Sequence, residues 1–137
     1  MKSAILVLLL FFAVCTGCSF AADAPVITPA EAAKRVADGK AVLIDVRGPD
    51  EWEETGVAAP AALLPLNDLT GARKLWKAFL EKNRDKELIL YCASGYRAGR
   101  AAKLLAKEGF RTANAGGFGD WQAAGLPIRK AVEPPRP

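Results

Sequence analysis

A chain of 137 residues, 51% hydrophobic and 25% charged, has the size and composition of one globular domain, which excludes a multi-domain enzyme. The net charge of +4 is small and the basic residues are scattered, so a dedicated nucleic-acid surface is not expected. The sequence contains no histidine. This absence excludes imidazole acid-base catalysis, Ser-His-Asp and Cys-His catalytic sites, and zinc sites with histidine ligands.

The first 21 residues have the pattern of a secretory signal peptide. Lys2 supplies a positive start, residues 4–14 form an unbroken apolar run, and small residues follow as far as Ala21. The apolar run is shorter than the roughly 20 residues that a membrane-spanning helix needs. We therefore predict a signal peptide over residues 1–21, no transmembrane segment, and a periplasmic or secreted protein.

Two cleavage sites fit this segment. Residues 19–21 satisfy the small-x-small rule of the ordinary signal peptidase, whereas residues 16–18 resemble part of a lipoprotein box. Cys15 occupies the position where that box normally has a branched aliphatic residue, so we favour the first site. The alternative is a lipoprotein anchored through Cys18. Both cuts leave Cys92 as the only free thiol, so a disulfide within the mature chain is excluded.

The first half of the mature chain predicts a helix and two strands. Thr28 and Glu31 form a capping box, and Gly39 is expected to end the helix that begins there. Residues 41–46 are a continuous apolar run of the kind found in strands that are covered on both faces. Residues 63–66 predict a second, shorter strand that is interrupted by a proline.

The second half continues the alternation of helices and strands. Apolar spacing predicts a helix over residues 72–82, and residues 88–91 are the clearest strand. A helix with one apolar face follows as far as Gly109, then a strand over 112–115 and a final helix that ends at Gly125. This alternation predicts one α/β domain over residues 22–130, with a parallel sheet, and a disordered tail over 131–137.

The segment from Cys92 to Arg97 is the strongest candidate site. It follows a buried strand and opens a helix, where backbone N–H groups lack partners and form a cradle for an anion. A cysteine in this cradle is expected to be a thiolate without help from imidazole. Ser94 supplies a hydroxyl and Gly95 allows the turn. Alternatively, Cys92 is an inert core residue; Arg100 fits either a site or a solvent-facing position.

Four groups of residues together resemble the single-domain rhodaneses, which are thiosulfate sulfurtransferases, here of a secreted bacterial type. They are residues 43–47, the group Glu51-Trp52 with Gly56, the loop from Tyr91 to Arg97, and residues 116–118 with 121–127. The resemblance covers about 27–128. It implies a five-stranded parallel sheet with helices on both faces and a persulfide intermediate on Cys92, with no metal or organic cofactor.

The resemblance also assigns the remaining site residues. The loop residues that would bind the substrate are Ala93, Ser94, Gly95, Tyr96 and Arg97. The residues themselves indicate two roles for Asp45, Arg47 and Glu51: they line the mouth of the site or, as we favour, form a buried ion-pair network between the strand end and the next loop. Asp45 and Arg47 are therefore predicted to be supporting residues. The expected partners are a small sulfur donor, a thiol or cyanide acceptor, and a possible protein acceptor of sulfur.

Two features of the loop narrow the range of reactions and substrates that we expect for this protein. Four residues separate Cys92 from Arg97, one fewer than in related cysteine-dependent phosphatases and arsenate reductases, so the loop suits a single sulfur atom on the cysteine. Ala93 stands where many active members carry Arg, Lys or Gln, which removes a contact to thiosulfate. An alternative function is therefore a persulfide carrier or an inactive rhodanese-like binding module.

Overall fold

A computed structural model describes residues 23–131 of the protein. The signal peptide, both cleavage sites, Cys15 and Cys18 lie outside the described residues, as does the tail after Ala131. Within the described part, no helix is both long and apolar enough to cross a membrane.

The described chain contains six strands and six helices. The strands are β1 (Ala41–Asp45), β2 (Val57–Ala58), β3 (Ala62–Leu63), β4 (Glu87–Cys92), β5 (Thr112–Gly117) and β6 (Ile128–Arg129). The helices are α1 (Pro29–Ala37), α2 (Pro49–Thr55), α3 (Leu66–Thr70), α4 (Trp76–Lys82), α5 (Tyr96–Lys107) and α6 (Phe118–Ala123).

A parallel sheet with the strand order β3-β1-β4-β5 forms the centre of the domain. Val26 adds a single parallel bridge to Asn114 at the β5 edge, so the fifth strand implied by the resemblance is reduced here to one bridge. Strands β2 and β6 pair separately as a short antiparallel ribbon. The prediction of a parallel sheet in one α/β domain is confirmed.

Side chains alternate between the two faces of the sheet, and each face has its own helical cover. On β4, Leu88, Leu90 and Cys92 face the core formed with α3, α4 and α5. Ile89 and Tyr91 face the opposite core, which α1 and α6 complete. Because both faces are buried, the strand reads as a continuous apolar run rather than an alternating one.

The short strand predicted over residues 63–66 is confirmed only at its start. Strand β3 ends at Leu63, and Pro65 is the N-cap of α3. Proline has no N–H to donate to a neighbouring strand, and its φ suits the entry to a helix. The chain therefore turns into a helix where the apolar pattern alone had continued the strand.

The helix predicted from residue 72 begins only at Trp76. Arg73 has a φ of 55°, in the left-handed region, which a right-handed helix cannot include. The Asp68 carboxylate accepts hydrogen bonds from the backbone N–H groups of Lys74 and Leu75 at 3.0 and 2.9 Å. The polar turn that Asp68 stabilises replaces the first helical turn that the apolar spacing predicts.

Candidate active site

Cys92 is the last residue of β4, an interior strand between β1 and β5. The residue is completely buried. The backbone N–H of Gly95, the N-cap of α5, donates a hydrogen bond to Cys92 Sγ at 3.0 Å. No other backbone N–H of residues 23–131 donates to the sulfur, so a wider cradle of loop amides remains a prediction. The sulfur thus lies at the amino-terminal end of α5, which is the positive end of the helix dipole.

The turn between β4 and α5 depends on a glycine. Gly95 has a φ of 89°, and a Cβ at this position would lie 3.3 Å from the Cα of Gly116. A larger residue would be strained by its backbone conformation and would also press against β5. Ala93, Ser94 and Tyr96 are exposed on either side of this glycine, so the loop that follows Cys92 lies at the protein surface.

Asn114 on β5 holds the loop in place, a role that the sequence analysis did not assign. Its side-chain Nδ2 donates a hydrogen bond to the Gly95 carbonyl at 3.0 Å. Its Oδ1 accepts one from the Gly116 N–H at 2.9 Å. The sequence feature that could have identified Asn114 is its amide side chain, which stands among small residues near the end of a strand and just before two glycines.

Arg97, in the first turn of α5, forms an ion pair with Glu51 of α2. Two hydrogen bonds of 2.7 Å join the guanidinium to the two carboxylate oxygens. Both side chains are about one-third exposed, at 34% for Arg97 and 35% for Glu51. The pair raises the pKa of Arg97 and, with the Gly48 N–H, lowers that of Glu51 from 4.5 to about 2. Arg97 thus closes the site against α2 with its charge compensated.

We expect Glu51→Gln to lower the free energy of unfolding by about 1 kcal/mol at neutral pH, a modest value because solvent screens the pair. Folding lowers the pKa of Glu51, so its stabilising effect is complete above pH 4.5 and is lost as the pH falls towards 2. Urea unfolding at several pH values should show the difference from the unaltered protein shrinking on acidification. Glu53→Gln, on an exposed position of the same helix, is the control; a constant difference would contradict the assignment.

Asp45 and Arg47 form a buried ion pair at the end of β1. The exposed fraction is 0% for Asp45 and 2% for Arg47. The Arg47 Nη2 lies 2.8 Å from Asp45 Oδ2, and Nε lies 3.1 Å from both carboxylate oxygens. Burial works to lower the pKa of Arg47, but the Asp45 carboxylate outweighs it and the pKa is raised. The Arg47 guanidinium therefore stays charged inside the protein.

Arg47 also ties β1 to the segment that carries Glu51. Its guanidinium donates to Thr55 Oγ1 at 2.9 Å and to the Gly56 carbonyl at 2.8 Å. It also lies 4.4 Å from the centre of the Phe118 ring, within reach of a cation–π interaction. Arg47 thus fixes the end of α2, the helix from which Glu51 reaches the cysteine loop.

An open cavity of about 360 Å³ lies between α2, α3 and the start of α5. We call it the mouth cavity; its charged lining residues are Arg47, Glu51, Arg97 and Arg100. Its volume falls at the lower end of the range of small-molecule sites. Residues 23–131 hold no group of three or more His, Cys, Asp or Glu side chains that could bind a metal ion. The site therefore combines one buried thiol with a polar cavity that is lined by Arg97, the last residue of the cysteine loop.

Comparisons with known proteins place this arrangement in a family. The sequence model of the family described as "Rhodanese-like domain" matches residues 28–124. A thiosulfate:glutathione sulfurtransferase of Saccharomyces cerevisiae is 34% identical over 98 residues, which cover 64% of this chain and 69% of the yeast protein. An uncharacterised Bacillus subtilis protein is 39% identical over 84 residues, and the match covers 60% of this chain and 61% of that protein.

Solved structures agree with the sequence matches. A rhodanese-related protein from Thermoplasma volcanium is 27% identical, with a TM-score of 0.63 and coverage of 78% of this chain and 99% of its own. Further curated relatives also carry sulfurtransferase in their names. These similarities support sulfur transfer as the class of reaction. With a family match that extends over most of its length, the chain belongs to the rhodanese-like domain family.

Proposed function

We propose that this protein is a sulfurtransferase that moves a sulfane sulfur from thiosulfate, or a related donor, to a thiol or cyanide through a persulfide on Cys92. The observation that carries the proposal is the buried Cys92 Sγ, which accepts the Gly95 N–H at the start of α5. We take the thiolate as the reacting form, because the chain has no histidine that could act as a base for a thiol. The yeast relative named as a thiosulfate:glutathione sulfurtransferase supports the same pair of substrate types.

The first step is attack of the Cys92 thiolate on the outer sulfur of thiosulfate. A new S–S bond forms at Cys92, the S–S bond of thiosulfate breaks, and sulfite leaves with the bonding electron pair. The terminal persulfide sulfur then carries the negative charge. We assign its stabilisation to the backbone N–H groups of residues 93–97, with Ser94 and Tyr96 at the entrance. No proton moves in this step, so it requires no general base.

The second step returns the enzyme to its starting state. A cyanide ion or a thiolate attacks the terminal sulfur, and the persulfide S–S bond breaks. The products are thiocyanate, or a persulfide of the acceptor, and the Cys92 thiolate. Because sulfite leaves before the acceptor reacts, the kinetics are of the ping-pong type.

Ala93 supports a second candidate, a persulfide carrier or a binding module without turnover. The residue is exposed at the entrance and offers no charge to a substrate. A carrier would load one sulfur from thiosulfate and release it only slowly to cyanide. Steady-state thiosulfate:cyanide turnover therefore separates the carrier from the enzyme.

Mass spectrometry after incubation with thiosulfate tests the proposal directly. We expect a gain of one sulfur atom, about 32 Da, on the peptide that contains Cys92, and its removal by cyanide with release of thiocyanate. An unchanged mass would contradict sulfur transfer from thiosulfate. Hydrolysis of phenyl phosphate without sulfur loading would instead favour a phosphatase.

We further propose a periplasmic or secreted location, on the basis of the signal-peptide pattern in residues 1–21. The mass of the mature protein purified from an expressing bacterium distinguishes the two cleavage sites. Cleavage after Ala21 leaves a soluble chain, whereas cleavage before Cys18 leaves a chain with added lipid.

A further inference from the structure

The charges around the mouth cavity are compensated with one exception. Arg47 is paired with Asp45, and Arg97 is paired with Glu51. Arg100 also lines the cavity, but among residues 23–131 it has no ion-pair or hydrogen-bond partner. The side chain is exposed. Within residues 23–131, Arg100 is therefore the charged side chain of the mouth cavity that remains free to bind an anionic ligand.

The position of Arg100 suits contact with a molecule that reacts at Cys92. It lies three residues after Arg97 on α5, and residues with this spacing are neighbours on a helix surface. It also lines a second cavity, of about 440 Å³, together with Gly95 and Tyr96. Arg100 thus lines one cavity together with Arg97 and another together with Gly95 and Tyr96, all three of which belong to the segment that follows Cys92.

We propose that Arg100 binds the sulfonate end of the anionic sulfur donor and so determines the preference of the enzyme for anionic donors. The inference rests on the proposed function and adds a specificity-determining residue to it. The loop offers no charged side chain before Arg97, because Ala93, Ser94, Gly95 and Tyr96 are all neutral. A guanidinium presents two parallel N–H donors that match two oxygens of a sulfonate, as they match a carboxylate or a phosphate.

The proposal separates donor binding from the chemical step. Arg100 contacts the end of thiosulfate that leaves as sulfite, whereas the attacking and transferred sulfur atoms lie at the Cys92 loop. Its loss should weaken donor binding and leave the reactivity of the thiolate unchanged. The cyanide ion has no oxygen atoms that could accept the paired N–H donors of a guanidinium, so the acceptor half of the reaction should depend little on this side chain.

Steady-state kinetics of Arg100→Ala test these expectations. We expect the KM for thiosulfate to rise about tenfold, with kcat and the KM for cyanide within about twofold of the unaltered protein. Arg100→Lys, which keeps the charge but not the paired donors, should give an intermediate KM. Lys107→Ala is the matched control, because it removes one charge from an exposed position about 10 Å further along the same helix.

Salt dependence supplies a readout that a structural role would not change. The KM for thiosulfate of the unaltered protein should rise with ionic strength, and this dependence should be weaker in Arg100→Ala than in Lys107→Ala. Equal KM values for Arg100→Ala and the unaltered protein would overturn the proposal. An equal rise in both variants would also overturn it, because net charge alone would then explain the effect.

Thiosulfate binding to a variant that cannot react tests the role of Arg100 independently of the proposed function. Calorimetry can measure thiosulfate binding to Cys92→Ser and to the same chain with Arg100→Ala, and we expect about tenfold weaker binding in the second. Normal sulfur loading with equal affinities would overturn the role of Arg100 alone. Absence of sulfur loading in the unaltered protein would overturn the proposed function, and the role of Arg100 as a donor site with it.

Discussion

Replacing Cys92 with serine is expected to reduce thiosulfate:cyanide turnover by on the order of a thousandfold or more and to abolish sulfur loading. A serine hydroxyl is a far weaker acid than a thiol, and no histidine in the chain can remove its proton. The oxygen also cannot form a persulfide. Rates of thiocyanate formation, compared with the spontaneous reaction of thiosulfate and cyanide, measure the loss.

A control must show that the Cys92→Ser variant is folded. Serine is close to cysteine in size and keeps an acceptor for the Gly95 N–H, so the fold should persist. Circular dichroism and urea unfolding should show a native-like domain, and Cys92→Ala should be equally inactive. A loss of activity of less than tenfold in a folded Cys92→Ser protein would show that the cysteine is not the sulfur carrier.

The largest expected effect on stability is that of Arg47→Met. The substitution keeps much of the side-chain bulk but leaves the Asp45 carboxylate charged and buried without its partner. It also removes the hydrogen bonds to Thr55 and Gly56. Breaking a buried ion pair on one side typically costs 3 to 5 kcal/mol, so we expect a loss of about 4 kcal/mol in the free energy of unfolding, measured in urea.

Two further variants identify burial as the cause. Lys34→Met removes an exposed ion pair with Asp38, and it should cost less than about 1 kcal/mol. Replacing both buried partners, with Asp45→Leu and Arg47→Met in one chain, should recover part of the stability because no unpaired charge remains. A loss for Arg47→Met as small as that for Lys34→Met would contradict this account of the pair.

The long elements of the fold were predictable because their patterns reflect burial directly. Strands β1 and β4 are covered on both faces and appear as apolar runs, and α5 shows one apolar face that ends near Gly109. The ribbon of β2 and β6 was not predicted. Each of its strands has two residues, too few to show a period, and their pairing joins segments that are far apart in the sequence.

The candidate site was likewise predictable only in part. Local order places Cys92 at the end of a strand and Gly95 at the start of a helix, so the sequence was sufficient to predict the cysteine loop. Arg97 and Glu51 are 46 positions apart, and no local pattern relates them. The contact of Asn114 with Gly95 depends on which strands are neighbours. Sequence reasoning therefore predicted the position of the candidate cysteine but not the contacts that hold its loop.

Under the proposed function, the complete burial of Cys92 limits which molecules can exchange sulfur with it. A disulfide requires the two Cα atoms to come within about 7 Å of each other, and the surrounding chain prevents a second folded copy from approaching so closely. We therefore expect purified protein to stay free of disulfide-linked dimers in air. By the same geometry, a protein acceptor would have to present its thiol on a slender, protruding segment, such as a chain terminus or an extended loop.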